Sequence, residues 1–341
     1  MSSVSVLIPN YNNARYLKQC LESVRAQTFD DWEAVVGDNA STDESLAIVD
    51  SFHDRRIRVV QRPRTIGWVA NVNLLLSEVG ASPYVAVLHA DDWWEPRFLA
   101  TMSALLEAAP KSLIATCAAR HVRDGQIIEV NGMDRSWAAS RGPSCPPSEA
   151  SRILTRGCCV FAPSVLARAG LYQRLGGYDE SLPQACDWLM WLRAAAAASI
   201  EVSGEPLANY RVHAQSQTSS LARANLRGLD LVRLVSIVEG DWRSREPFAG
   251  AIKSLASTVV VELLAYAAQR AEAGDHAGAV RQARLARAVA ATTRSALLAG
   301  LGETAFRWGQ APWMNSTQRR LLTWGRFAWH AVHRPASQAT R

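Results

Sequence analysis

Short apolar, β-branched runs alternate with amphipathic stretches through the first hundred residues. Val4-Ser-Val-Leu-Ile8 reads as a first strand, ended by Pro9-Asn10. Leu17, Cys20, Leu21 and Val24 recur at helical spacing and predict a helix over 14–27. Trp32-Glu-Ala-Val-Val36 is a second strand, closed by Gly37-Asp38-Asn39. A helix to about Phe52 follows, with Ser41 or Thr42 as its N-cap and acids in its first turn. Ile57–Val60 predicts a third strand, Asn71–Val79 a helix, and Tyr84–Leu88 a buried strand. This β-α-β-α order predicts a parallel sheet with helices on both faces.

Further on, residues 113–130 predict strands joined by an Asp124-Gly125 turn. Ser136–Glu149, rich in Pro, Ser and Gly, predicts a loop, and Cys158–Ala162 an apolar strand. A helix over 187–198 precedes strand segments at Ile200–Val202 and Tyr210–His213. After about Ser220 alanine, leucine and arginine dominate and helical periodicity persists. The chain therefore divides into an α/β domain over 1–220 and an all-α C-terminal domain over 221–341. Within the latter, Ala265–Ala279 resembles the turn of a tetratricopeptide-type hairpin, in a single copy that makes no repeat array.

Composition adds limits. A chain that is 48% hydrophobic and 20% charged can bury an ordinary globular core. None of the 6 cysteines has the C-x-x-C spacing of a zinc or redox site, which predicts free thiols in a reducing cytoplasm. The N-terminus carries no basic region followed by an apolar one, so no signal peptide is expected. The densest apolar run, Leu255–Ala268, is short and contains Glu262, so no spanning helix is expected.

The net charge of +6 is uneven. From Ala277 onward ten arginines face a single acid, Glu303, which suggests an anionic partner. Wound as a helix, residues 315–334 place Arg319, Arg326, His330 and Arg334 on one side and Leu321, Leu322, Trp324 and Trp329 on the other. That pattern suits either an anionic membrane surface, with peripheral attachment, or a terminal helix docked on its own domain. No nucleic-acid-binding motif is present, so no nucleic-acid partner is expected; an oligomer is compatible with the sequence.

The chemistry concentrates at strand ends. His89-Ala-Asp91-Asp92 follows the buried strand that ends at Leu88. Ligands of open α/β sheets bind at such carboxyl ends. Two adjacent carboxylates there can hold a hard divalent cation, or can simply cap the next helix. Asp38 follows another strand and is either a base-edge acceptor or a turn-forming residue.

Four motifs occur in order: Val6-Leu-Ile-Pro-Asn-Tyr-Asn12, Gly37-Asp-Asn-Ala-Ser-Thr-Asp43, His89-Ala-Asp-Asp92, and Gly176-Gly-Tyr-Asp-Glu180 with Asp187-Trp-Leu-Met-Trp-Leu-Arg193. A fifth, Tyr210-Arg-Val-His-Ala-Gln-Ser216, closes the set. Together they resemble family 2 glycosyltransferases over roughly residues 3–220. The resemblance implies a Rossmann-like GT-A fold with a mostly parallel sheet that binds nucleotide sugars. It also implies inverting, metal-dependent transfer of a sugar from a nucleoside diphosphate sugar, UDP-linked by preference, to a hydroxyl acceptor. That acceptor would belong to cell-surface polysaccharide or lipid-linked glycan synthesis. A small natural product, a protein side chain, or nucleotide binding without catalysis are the alternatives.

Carried over residue by residue, the resemblance places Pro9, Asn10, Tyr11, Asn12 and Asp38 around the nucleoside. It gives Asp91 to the ribose or metal and Asp92 to Mn²⁺ or Mg²⁺. His213 completes the metal shell, touches the diphosphate or is a buried hydrogen-bonded histidine. Arg211 contacts phosphate or forms a structural ion pair. Gly177 lets backbone pass close to the sugar or adopts positive φ. Asp187 is the candidate catalytic base. Asp43 caps or charges a helix start, and Pro163-Ser164 faces the acceptor. Two positions depart from the pattern: His89 stands where an acid is usual, and Cys186 precedes Asp187 in place of a second acid.

Overall fold

The structure, a computed structural model, describes residues 2–133, 142–216, 227–242 and 249–292. Its first elements follow the apolar pattern: β1 (Val4–Asn10), α1 (Ala14–Arg25), β2 (Trp32–Asp38), α2 (Ser45–Asp50), β3 (Ile57–Gln61), α3 (Trp68–Leu76) and β4 (Tyr84–Val87). There follow β5 (Trp93–Trp94), α4 (Phe98–Ala108), β6 (Ile114–Arg123), β7 (Gln126–Asn131), β8 (Ser144–Cys145) and α5 (Pro147–Leu154). The unit closes with β9 (Val165–Arg168), α6 (Gly170–Leu175), α7 (Cys186–Ala197) and β10 (Ile200–Arg211).

One sheet runs in the order β3-β2-β1-β4-β9-β6-β10-β5, with β7 added to β6 and β8 to β10. The β1–β2, β2–β3, β1–β4 and β6–β10 pairs are parallel. Strands covered on both faces read as continuous apolar runs, and Val4, Val6, Leu7 and Ile8 are fully buried. The apolar stripe of α1, Leu17, Cys20, Leu21 and Val24, is equally buried and shares a core with Phe98, Leu99 and Met102 of α4.

The register decides where the chemistry emerges. Asn10 pairs with Asp38 at the carboxyl ends of β1 and β2. On the other side β1 carries β4, with Leu7 opposite Val87, so the chain after β4 leaves from the same edge.

Several elements depart from the sequence-based expectation. α2 starts at Ser45, with Glu44 rather than Ser41 or Thr42 at its cap. The reason is local: Asp38 and Asn12 side chains take the backbone N–H groups of Ser41 and Thr42, at 3.0 and 2.8 Å, and hold them in a loop. Residues 158–161 are irregular and lead into a 3₁₀ turn at Ala162–Ser164; the strand comes later, at Val165–Arg168. Pro163 has no N–H to give a ladder. Gly204 and Pro206 do not end β10. They sit in a bulge that joins the two foreseen segments into one strand. The 113–130 hairpin forms as foreseen, with Asp124 at φ 51° and Gly125 at φ 80°. The Ser136–Glu149 loop is shortened by β8 and by α5; its residues 136–141 lie outside the described residues.

Two compact units result, the first holding the described residues up to Ser216 apart from Thr155–Gly157. The second joins Thr155–Gly157 to the helices α8 (Arg227–Trp242), α9 (Ala249–Glu272) and α10 (His276–Thr292). The Thr258 hydroxyl of α9 donates to Thr155 O at 2.8 Å in the buried interior of this unit. Gly274 at φ 79° makes the turn between α9 and α10, and Asp275 Oδ1 accepts the Gly278 N–H at 2.8 Å. Gly250–Glu272 is longer than the foreseen Leu255–Ala268 run. Its mean hydropathy of 1.5 makes it apolar and long enough to cross a membrane. Leu255, Val259, Val260 and Leu263 on it are nonetheless fully buried. The basic stretch 315–334 lies outside the described residues.

Candidate active site

The ends of β1 and β2 build the first wall. Asp38 and Asn10 are both buried, at 2% exposure. Asn10 Nδ2 donates to Asp38 Oδ1 at 3.0 Å, and the Ser41 N–H donates to Asp38 Oδ2 at 3.0 Å. Asp38 is thus fixed by a donor on each oxygen. Pro9 lies opposite Gly37 in the same register. Asn12 takes the left-handed conformation (φ 51°), and the Tyr11 ring stands 48% exposed at the rim. Asp43 charges a helix start, but that of α1 as well: Oδ2 accepts Ala14 N–H at 2.8 Å and Oδ1 accepts Ser45 N–H at 3.1 Å. Desolvation opposes its ionisation, but the hydrogen bonds from Ser45 and Ala14 outweigh it and hold the carboxyl below its ordinary value.

Arg62, just past β3, was passed over in the sequence. Its N–H donates to Asp38 O at 2.8 Å and its Nε to Asn71 Oδ1 at 3.1 Å. One of its terminal nitrogens is buried without a hydrogen-bond partner. No local pattern marks it, because its place beside Asp38 follows from the β2–β3 register.

The carboxylate pair sits between β4 and the end of β10. The Arg211 N–H donates to Asp92 Oδ1 at 2.8 Å. Asp92 is 1% exposed, and its Oδ2 has no partner. His89 Nδ1 lies 3.9 Å from that oxygen. His213 Nε2 lies 2.9 Å from Asp91 Oδ2. Burial, reinforced by the charge of Asp91, pushes Asp92 well above the ordinary carboxylate value. Burial also opposes ionisation of Asp91, but the His213 hydrogen bond and the nearby His89 imidazole outweigh it, and Asp91 titrates low. Desolvation pushes His89 below its ordinary value, which keeps it neutral at pH 7.

A buried, unpartnered carboxylate oxygen facing a neutral imidazole is costly unless something binds there. His89, Asp91 and Asp92 can each offer a ligand atom, all within 4.8 Å of one another. This donor set fits a divalent cation. His89, the departure from the expected acid, joins that group, whereas His213 bonds to Asp91 from outside it.

The loop before α7 approaches from another side. Trp68 Nε1 donates to Pro183 O at 2.8 Å, while its ring meets the His89 ring edge-on at 5.8 Å. Trp68 therefore links this loop to His89. Asp187 lies half-buried in the first turn of α7, and its Oδ1 accepts its neighbour's Trp188 N–H at 2.7 Å. Gly177 does adopt positive φ, at 80°, and its close neighbour is α3: a Cβ there would sit 2.7 Å from Asn73 Oδ1. The Asn73 amide bonds Tyr178 N and O at 2.8 and 2.9 Å. Trp188 and Trp191 are buried core residues. Pro163-Ser164 lies in the interior. Both are buried; Pro163 O accepts Trp94 Nε1 at 2.6 Å, and Ser164 Oγ lies 3.2 Å from Thr116 Oγ1.

A mixed, centrally parallel sheet with helices on its faces and a paired-acid strand end at its carboxyl edge has the GT-A glycosyltransferase fold. The profile of Glycosyl transferase family 2 matches residues 5–157, nearly all of them within the first compact unit. An uncharacterized glycosyltransferase of Nostoc is 29% identical over 233 residues, covering 65% of this chain and 68% of the relative. Chondroitin synthase of Escherichia coli is 28% identical over 197 residues, which is 56% of this chain and 26% of the synthase. Among solved structures, S. aureus TarS 1-349 in complex with UDP-GlcNAc superposes with a TM-score of 0.55 at 18% identity, covering 84% of this chain and 92% of TarS. The mannosyltransferase PcManGT from Pyrobaculum calidifontis, in complex with GDP-Man and Mn²⁺, gives 0.59 at 20%, covering 97% and 88%.

Proposed function

We propose that this protein is an inverting, metal-dependent glycosyltransferase acting on a hydroxyl of a growing cell-surface polysaccharide or lipid-linked glycan. The observation that carries this reading is the buried, unpartnered Asp92 Oδ2 beside His89 and Asp91. Asp91 and Asp92, with His89 and His213 around them, would hold Mn²⁺ or Mg²⁺. The ion would neutralise the charge that grows on a nucleoside diphosphate leaving group. Asn10 and Asp38 would read the base, with Tyr11 over it and Pro9 and Asn12 shaping the loop. Asp187 would accept the proton of the acceptor hydroxyl as its oxygen attacks the anomeric carbon. Direct displacement from the opposite side inverts that carbon. The nucleotide sugars and Mn²⁺ held by TarS and PcManGT favour the donor class and the metal. The likeness to chondroitin synthase favours a glycan acceptor. The C-terminal helical domain, with residues 315–334, would serve the acceptor, a membrane surface or oligomer formation.

A thermal-shift screen tests the donor and metal together. UDP, GDP and their sugars, each with and without Mn²⁺, should raise the unfolding midpoint for one base, and more with metal. No shift with any nucleotide would refute the reading.

A further inference from the structure

Arg211 carries a pattern of contacts that suits a role other than touching phosphate. Its guanidinium lies over two rings, 4.5 Å from the centroid of Tyr16 in α1 and 4.5 Å from that of Trp93 in β5. Its Nε donates to the backbone oxygen of Asp91 at 2.8 Å, and a terminal nitrogen donates to Gln19 Oε1 at 2.6 Å. Its own backbone N–H donates to Asp92 Oδ1. Two aromatic rings contact the cation and two of its nitrogens are committed. Tyr16 also packs against the His213 ring at 4.9 Å, and His213 in turn bonds Asp91. Tyr16 and Arg211 together therefore touch the backbone of Asp91, the carboxylate of Asp92 and the ring of His213.

We infer that the Tyr16–Arg211–Trp93 stack is a positioning clamp. It sets the backbone of Asp91, the rotamer of Asp92 and the ring of His213 for cation binding. The inference rests on the reading that Asp91 and Asp92 hold a divalent cation. Tyr16, Gln19 and Trp93 thereby gain a part in the reaction without touching substrate. The stacked planar fork explains the residue type: lysine keeps the charge but can neither stack in this way nor make the same directed bonds. Groups that orient metal ligands typically change affinity by about 10- to 100-fold when removed.

The test is Mn²⁺ affinity, read from the free-ion paramagnetic resonance signal, for wild type, Asp92→Asn, Arg211→Lys, Tyr16→Ala and Tyr16→Phe. Thermal unfolding of each confirms folding. The clamp predicts that Arg211→Lys weakens Mn²⁺ by on the order of tenfold. Tyr16→Ala moves it the same way, and Tyr16→Phe, which keeps the ring, stays near wild type. In assays the donor KM rises at limiting Mn²⁺, and kcat returns at saturating Mn²⁺. Wild-type Mn²⁺ affinity in Arg211→Lys and Tyr16→Ala, with Asp92→Asn impaired, would overturn the clamp alone. Should Arg211→Lys fail to fold, the Tyr16→Ala and Tyr16→Phe pair decides. Equal Mn²⁺ binding by wild type and Asp92→Asn would overturn the metal reading, and the clamp with it.

Discussion

His213 Nε2 lies 2.9 Å from Asp91 Oδ2, tying the chain just past β10 to the acid that follows β4. This bond helps hold Asp91 ionised beside Asp92. Replacing His213 with alanine removes a donor from a partly buried carboxylate. We expect kcat/KM to fall by roughly 10- to 100-fold, with unfolding little changed. Steady-state kinetics across Mn²⁺ concentrations check this. A variant as active as wild type would contradict it.

His89 Nδ1 faces the unpartnered Asp92 Oδ2 at 3.9 Å. A neutral imidazole suits transition metals better than Mg²⁺, which prefers oxygen. His89→Asp should therefore move the preference from Mn²⁺ toward Mg²⁺, by roughly tenfold in the ratio of affinities. Calorimetric titration with each ion measures that ratio. An unchanged ratio would remove His89 from the ligand set.

Asp43 joins Ala14 N–H to Ser45 N–H and titrates below its ordinary value. Asp43→Ala should cost about 0.5–1 kcal/mol at pH 7, the low end for a capping residue because the site is exposed. The sign with pH follows from the lowered value. The stabilisation is fully present above the unfolded-state pKa of about 3.9, and disappears as pH falls through the lower folded value. Urea denaturation at pH 7 and near pH 3 should show the difference between wild type and variant shrinking in acid.

Much of this was legible in the chain. The strand ends that carry Asn10, Asp38 and Asp91 follow from apolar runs closed by polar residues, and the helix stripe of α1 is periodic. What escaped depends on contacts between segments far apart in the chain. α2 starts late because side chains of Asn12 and Asp38 seize its foreseen first N–H groups. Pro163-Ser164 is buried because Trp94 and Thr116 reach it through the sheet. Tyr16, Arg62 and Trp93 carry no local signal, since their partners come from other elements.

Residues 315–334 are read from sequence alone as a basic amphipathic helix. If an anionic membrane is their partner, the full chain should sediment with vesicles containing anionic lipid, and less so at high salt. A chain ending at Gln310 should remain in solution. Equal sedimentation of both would remove this segment from membrane binding.

The central claim is a metal-held diphosphate with Asp187 as base. Its most direct test is the release of nucleoside diphosphate from the donor and acceptor identified by screening, with Mn²⁺, for wild type, Asp187→Asn and Asp92→Asn. The account predicts turnover by wild type and a loss of about 10²-fold or more in Asp187→Asn. Asp92→Asn should lose activity together with Mn²⁺ affinity, while Asp187→Asn retains that affinity. Turnover at the wild-type rate in both variants would contradict the account.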